Sequence, residues 1–249
     1  MGISLKGFGN SNGQGAQIAG LTALPPAAAD IRLSTTSSDP HWSNVSLLAN
    51  FDDLIDTSNN ANAITLEGAG ATLNGFTTKF GASSAQTTSN GDYLEVADST
   101  PFIFGTDDFT IEYWLNTSQS AANIRHISYG GNNVSGGWFI ALNSGQPRFG
   151  SGTLWIMQAS GSTVADGAWH HIAWCRVSGT LTCFVDGVDR GSSATAFDVV
   201  TASTLNVGRD NVLGGTQAYN GNMDELRITK SVARYTSGFT VETEAFPTS

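Results

Sequence analysis

Charge is scarce in this sequence. Only 13% of its 249 residues are Asp, Glu, Lys or Arg, too few for long solvated helices laced by paired charges. Basic residues are rarer still, with 11 Lys and Arg against 21 Asp and Glu, for a net charge of −10. Such a surface repels a nucleic-acid duplex or an anionic membrane, so neither is an expected partner. Cysteine is nearly absent: Cys175 and Cys183 are too few for a disulfide framework and are expected as reduced thiols. No apolar run is long enough to span a bilayer. The opening Met1-Gly2-Ile3-Ser4-Leu5-Lys6 has no apolar secretory core, and residues 21–29 are broken by Pro25-Pro26. Lys6 stands where a myristoylation motif wants Ser or Thr. Synthesis in a cytoplasm, without secretion, is the expectation.

Glycine, by contrast, is abundant at 29 residues, which suits many short strands joined by tight turns. Residues 1–40 stand apart. Their only charges, Lys6, Asp30, Arg32 and Asp39, cancel, and isolated apolar residues show no sustained period. This composition predicts an extended N-terminal arm over residues 1–40, with a globular domain over 41–249. From residue 44 onward, strand follows strand. Phe109, Ile111, Tyr113 and Leu115 alternate onto one face. Residues 138–142, 148–149, 154–158, 169–177, 181–185, 205–208 and 223–229 continue the series between Asn, Ser and Gly clusters. Roughly a dozen strands at this spacing predict an all-β sandwich of two antiparallel sheets. Only residues 231–235 suggest a helical turn. A two-residue turn at Ser178-Gly179 would put Cys175 and Cys183 on opposite faces; a three-residue loop would set them opposite each other.

Several pieces carry a resemblance in their order and spacing. They are Ser46-Leu47-Leu48-Ala49-Asn50-Phe51-Asp52, Lys79-Phe80-Gly81, Gly91-Asp92-Tyr93-Leu94 and the stretch from Phe104 to Trp114. Trp169-His170-His171-Ile172-Ala173, Phe184-Val185-Asp186-Gly187, the stretch from Asn222 to Lys230, Ala233-Arg234-Tyr235 and Phe246-Pro247 complete the set. Together, over about residues 44–249, they resemble the laminin-G-like, concanavalin A-type jelly rolls of bacteriophage and marine viral structural proteins. The resemblance implies a jelly-roll sandwich and a virion structural protein: a capsid decoration, head fibre or tail-associated adhesin displayed on the virion surface. Residues 1–40 would anchor it to capsid or tail proteins, and a cyclic homo-oligomer would suit a symmetric particle. A lectin module that binds host surface glycans is the alternative.

Related sandwiches also include glycoside hydrolases, which need two suitably spaced carboxyls. Here Glu112 is followed on its own face by Trp114 and Asn116, so no enzyme is expected and Glu112 reads as a solvated sheet residue. His170 and His171 are adjacent and would point to opposite faces of a strand, unable to share a metal. The resemblance implies one structural calcium ion, with Asp224 as the matching ligand and Asp52 and Asp92 as further oxygen donors. Asp92 and Asp224 capping turns is the equal alternative. In this chain Phe51-Asp52-Asp53 replaces the family's usual Phe-Asp-Gly. Among the aromatics, Trp138, Trp155, Trp174, Tyr129 and Tyr219 are candidates for a glycan platform. Tyr129 and Tyr219, set among Asn and Gly, are the residues expected at the surface.

Overall fold

A computed structural model describes residues 38–89, 91–97, 100–131, 134–194, 196–200, 202–211 and 219–249. The expected arm therefore lies, apart from residues 38–40, outside the described residues. Fifteen strands are found among the described residues. They are β1 (Val45–Ala49), β2 (Ile64–Glu67), β3 (Thr72–Asn74), β4 (Ser84–Thr87), β5 (Tyr93–Val96), β6 (Phe109–Asn116), β7 (Ile124–Tyr129) and β8 (Trp138–Asn143). The series continues with β9 (Gln146–Ser151), β10 (Leu154–Gln158), β11 (Trp169–Val177), β12 (Thr180–Val185), β13 (Val188–Ala194), β14 (Leu205–Val207) and β15 (Gly221–Lys230). Residues 231–235 make bends and no helical turn.

The strands form two antiparallel sheets packed face to face, a jelly-roll sandwich. One sheet runs β13-β12-β11-β6-β15-β4-β3, with β1 also paired to β15; the other runs β10-β9-β8-β7-β14-β5-β2. Alternation decides which side chains meet between them. From β6, Phe109, Ile111, Tyr113 and Leu115 all enter the core; from the facing sheet come Tyr129, Trp138, Ile140, Leu142 and Phe149. Each buried aliphatic or Phe side chain contributes roughly 1.5–3 kcal/mol. A polar pair crosses this apolar layer: the Tyr113 hydroxyl lies 2.7 Å from His126 Nε2. Burial pushes His126 down to about 3 and keeps it neutral.

The β11–β12 hairpin closes on the two-residue turn Ser178-Gly179, since Val177 pairs with Thr180. Both turn residues have positive φ, 47° and 82°, as a type I′ turn requires. Trp174 consequently pairs with Cys183 and Cys175 with Thr182. The two free thiols face opposite sides of the sheet: Cys183 in the core, Cys175 on the outer face.

That outer face of the first sheet is closed. Phe184, Cys175 and Ala173 are covered by Tyr235 and Phe239, whose rings stack. Phe246 packs on Val45 and Leu48. Beneath this strap Glu112 is wholly buried, which corrects the expectation of a solvated residue. Its Oε1 accepts from Arg227 Nε at 2.9 Å and its Oε2 from the Tyr235 hydroxyl at 2.9 Å. Asp39 joins the network, accepting from Arg234 Nη2 at 2.7 Å and Arg227 Nη1 at 3.3 Å. The Asp39 N–H also donates to the Ser249 carbonyl at 2.7 Å. Asp39 is thus built into the sandwich, ahead of the boundary expected after residue 40.

Candidate functional site

The second sheet keeps an outer face of its own. Core residues on β5, β7, β8, β9 and β14 alternate with residues pointing away from the core, and strand pairing aligns these in rows. One row crosses all seven strands: Trp155, Gly150, Phe139, Ser128, Asn206, Glu95 and Thr65. Beside it runs a second row, Gln158, Arg148, Ala141 and Arg125. The β7 bulge between Arg125 and Ile127 lets His126 and Ile127 both turn inward while Arg125 stays outside.

Where the rows meet, aromatic rings and guanidinium groups assemble. Phe139 and Trp155 meet edge to face at 5.0 Å. Arg148 lies 3.7 Å over the Trp155 ring, and Arg125 lies 4.8 Å from the Phe139 centroid. Gly150 makes room for this: a Cβ there would stand 2.2 Å from the Phe139 ring. Arg125 forms a buried ion pair with Asp210 at 2.8 Å, and burial lowers the Arg125 pKa. A chain of amides flanks the rings, with Asn143 donating to Gln158 at 3.0 Å and Gln158 to Gln146 at 2.6 Å. Trp155, Arg148, Asn143, Gln146 and Gln158 are all partly exposed. The exposed Leu154 and Val200, with Ile156 and Phe197, line an adjoining cleft of about 430 Å³. Across the same sheet, Arg209 stacks on Tyr93.

The tyrosines expected at the surface are not part of this face. Tyr129 and Tyr219 are both buried. Tyr129 sits at an inward position of β7, packed on Phe102 and Trp138. The Tyr219 hydroxyl donates to the Asn116 carbonyl at 2.7 Å. Neither ring can meet a glycan from solvent, because neighbouring Asn and Gly do not decide which way a side chain turns. Trp138 and Trp174 are core residues as well. Trp155 is the exception, and its position on β10, at the edge of its sheet, is the reason.

The three aspartates of the calcium expectation separate into two places. Asp92 receives N–H from Gly70 at 2.8 Å and hydroxyls from Ser89 and Thr88 at 2.8 and 3.1 Å. These bonds offset burial and lower its pKa. It clamps a turn, apart from the other two. Asp52 and Asp224 both hold the 79–83 segment. Asp224 Oδ2 accepts from the Lys79 and Phe80 N–H groups at 2.9 and 3.2 Å, and Asp52 Oδ1 accepts from Ser83 N–H at 3.0 Å and from Ala82 N–H. A side chain at Gly81 would collide with the Asp52 carboxylate. The missing glycine after Asp52 leaves no gap, because the left-handed residue is Phe51, at φ 59°. Asp224 opens the β15 bulge, next to Glu225. Burial, together with the crowding of these carboxylates, pushes Asp224 up to about 6 and Glu225 up to about 7. Crowded carboxylates of this kind fit a hard cation. Among the described residues, however, no three His, Cys, Asp or Glu side chains converge as a metal cage. An ion at Asp52 and Asp224 would complete its shell with backbone carbonyls and water.

His170 and His171 do part company as expected. His170 bonds Asp186 at 2.7 Å and Asp166 at 3.1 Å, which raises its pKa. His171 lies under the strap, 3.3 Å from Glu112. Burial would push Glu112 up, but Arg227, His171 and Arg234 outweigh it and hold the carboxyl at about 2. An ionised, fully paired carboxylate has no proton to give a leaving group.

Solved structures of similar fold include toxin binding domains and one domain of an arabinanase. The binding domain of Paraclostridial Mosquitocidal Protein 1 superposes with a TM-score of 0.61 at 16% identity, over 78% of this chain and 50% of that one. The binding domain of botulinum neurotoxin serotype D/C gives 0.58 at 16%, over 77% and 50%. Domain 4 of AbnA, a GH43 extracellular arabinanase from Geobacillus stearothermophilus solved with arabinotriose, gives 0.58 at 18%, over 76% and 94%. The superposed region thus spans about half of the toxin binding domains and nearly all of the arabinanase domain. At these identities the likeness is one of fold. No curated protein matches the sequence. Residues 88–234, more than half of the chain, match the family of concanavalin A-like lectins and glucanases. The chain belongs to the concanavalin A-like lectin/glucanase superfamily.

Proposed function

We propose that this sandwich is a non-enzymatic binding module that takes a glycan on the outer face of its second sheet. The observation that carries the reading is the partly exposed assembly of Trp155, Arg148 and the Asn143–Gln158–Gln146 amides, backed by the buried Phe139 ring. Aromatic surface beside fixed polar groups is what sugar recognition requires. On the first sheet the strap covers Ala173, Cys175 and Phe184, and Glu112 beneath it is held in ion pairs. Glycan-array binding by the whole protein tests the reading. Trp155→Ala should cost about thirtyfold or more in affinity, as for a central anchor residue. Binding that ignores this substitution, or silence across a broad array, counts against the reading.

The setting we propose is a virion surface, with the sandwich displayed as a decoration, fibre or tail-associated adhesin of a cyclic homo-oligomer. Residues 1–40 would be the anchor to capsid or tail proteins. Support comes from the resemblance of residues 44–249 to phage structural proteins and from the low, balanced charge of residues 1–40. Because Asp39 is bonded within the sandwich, the variant to compare lacks residues 1–37. Only the full-length protein should sediment with particles depleted of it. Equal sedimentation of both moves the assembly contact to the sandwich, and sedimentation of neither leaves a free lectin. We also propose one structural calcium ion at Asp52 and Asp224.

A further inference from the structure

We infer that the glycan taken by this face is acidic, and that its carboxylate or sulfate group is bound by Arg148. The inference rests on the glycan-binding reading above and adds the class of ligand. It follows from a contrast between two arginines in one cross-strand row. Arg125 is buried and neutralised by Asp210 at 2.8 Å. Arg148 is partly exposed and has no carboxylate partner among the described residues. Its polar contact is with Asn123 Oδ1, at 3.5 Å, too long to satisfy a guanidinium. In a chain with 21 acidic and 11 basic residues, a partly exposed arginine without an acid beside it is free to accept an external anion.

Geometry strengthens the point. The Arg148 guanidinium carbon stands 3.7 Å from the Trp155 ring centroid, a cation–π contact that holds the group against the ring. The same stacking covers one face of Trp155, so apolar stacking of a neutral sugar there would have to displace the cation. A sugar acid instead places its anionic group in line with the fork. Its hydroxyls can then meet Asn143, Gln146 and Gln158, which lie on the β8, β9 and β10 side of the face. Two parallel N–H bonds to one carboxylate or sulfate are the geometry an arginine favours over a lysine.

The test compares binding of oligogalacturonate, its methyl-esterified neutral form, a heparin oligosaccharide, sialyllactose and lactose to the whole protein by calorimetry. At least one acidic ligand should bind more tightly than its neutral counterpart and lose affinity as salt rises. Arg148→Gln should weaken that ligand about ten- to a hundredfold. Arg148→Lys should recover only part of the loss, and thermal melting should show both variants folded. Carboxylate against sulfate selectivity follows from which acidic ligand responds. If neutral sugars bind with Trp155 dependence and Arg148→Gln is silent, the acidic inference falls and the glycan reading stands. If no sugar binds, or binding ignores Trp155→Ala, both fall.

Discussion

The platform on the second sheet depends on an absent side chain. Gly150 pairs with Phe139 and Trp155 across adjacent strands, and its missing Cβ is what lets the Phe139 ring lie down over the strand. Gly150→Ala forces that ring to move, because the new carbon would sit 2.2 Å from Cζ. The expected cost is about 1–3 kcal/mol of stability. Glycan affinity should fall with it, which melting and binding on one preparation would separate. Beneath the strap, Glu112 makes a prediction about acid. Its folded pKa of about 2 lies below its ordinary 4.5, so the folded state binds this proton more weakly than the unfolded chain. The stabilisation is therefore complete above about pH 4.5 and is lost as pH falls toward 2, on the order of 3 kcal/mol in all. His126, held down near 3 from 6.5, acts in the same direction, starting at about pH 6.5. Glu112→Gln should be less stable at pH 7 by about 3–5 kcal/mol, because it removes the nearer carboxylate of buried Arg227 and leaves it only Asp39, at 3.3 Å. Its stability should also fall less steeply in acid, and urea titrations from pH 7 to 2 read both. An equally steep profile would mean that Glu112 does not govern the acid limb.

At the scale of elements, β15 is the busiest strand. It pairs with β6 along one edge and with β4 and then β1 along the other. The bulge at Asp224 and Glu225 separates those two partners. A calcium ion held there by Asp52 and Asp224 would raise the melting temperature by binding the native state alone. Chelator should reverse this, and Asp224→Asn should abolish the difference. A melting temperature indifferent to calcium and chelator removes the ion. The β pattern itself was legible in the sequence wherever one face of a strand was buried and the other was not, as at Phe109, Ile111, Tyr113 and Leu115. Strands such as β3 and β13 were not, because Thr72-Leu73-Asn74 and the exposed run from Val188 carry no apolar alternation. The candidate site was half legible. Trp155 stood among the aromatics, but its rank over Tyr129 and Tyr219 depends on sheet order, which a β10 edge position reveals and local composition does not. Glu112 was misplaced for a related reason. Its neighbours on the strand say nothing of a strap arriving from residues 235–246.

At the scale of the whole molecule, the two sheets have been given different fates. One outer face is sealed by the chain's own last residues and holds a charge network of Glu112, Arg227, Arg234 and Asp39. The other carries the Trp155 ring and the partly exposed Arg148 guanidinium stacked on it. If the second sheet does bind a glycan as proposed, sealing and recognition fall on opposite sides of one core, so that the binding face could vary without disturbing the network. The hydrogen bond between Asp39 and Ser249 has a topological meaning as well. The sandwich begins and finishes at one point, so it can be hung on a neighbour as a pendant or spliced into a host loop with little loss of chain entropy. A circular permutant should show this, with Ser249 joined to Ser38 by a short glycine linker and the chain reopened at the Ser178-Gly179 turn. Its melting temperature should stay close to that of the parent, and a molten product would mean that the continuity of the β11–β12 hairpin matters more than the meeting of the ends. On the proposed reading such a unit would be a cassette, with one point where the chain enters and leaves and a separate face for its ligand.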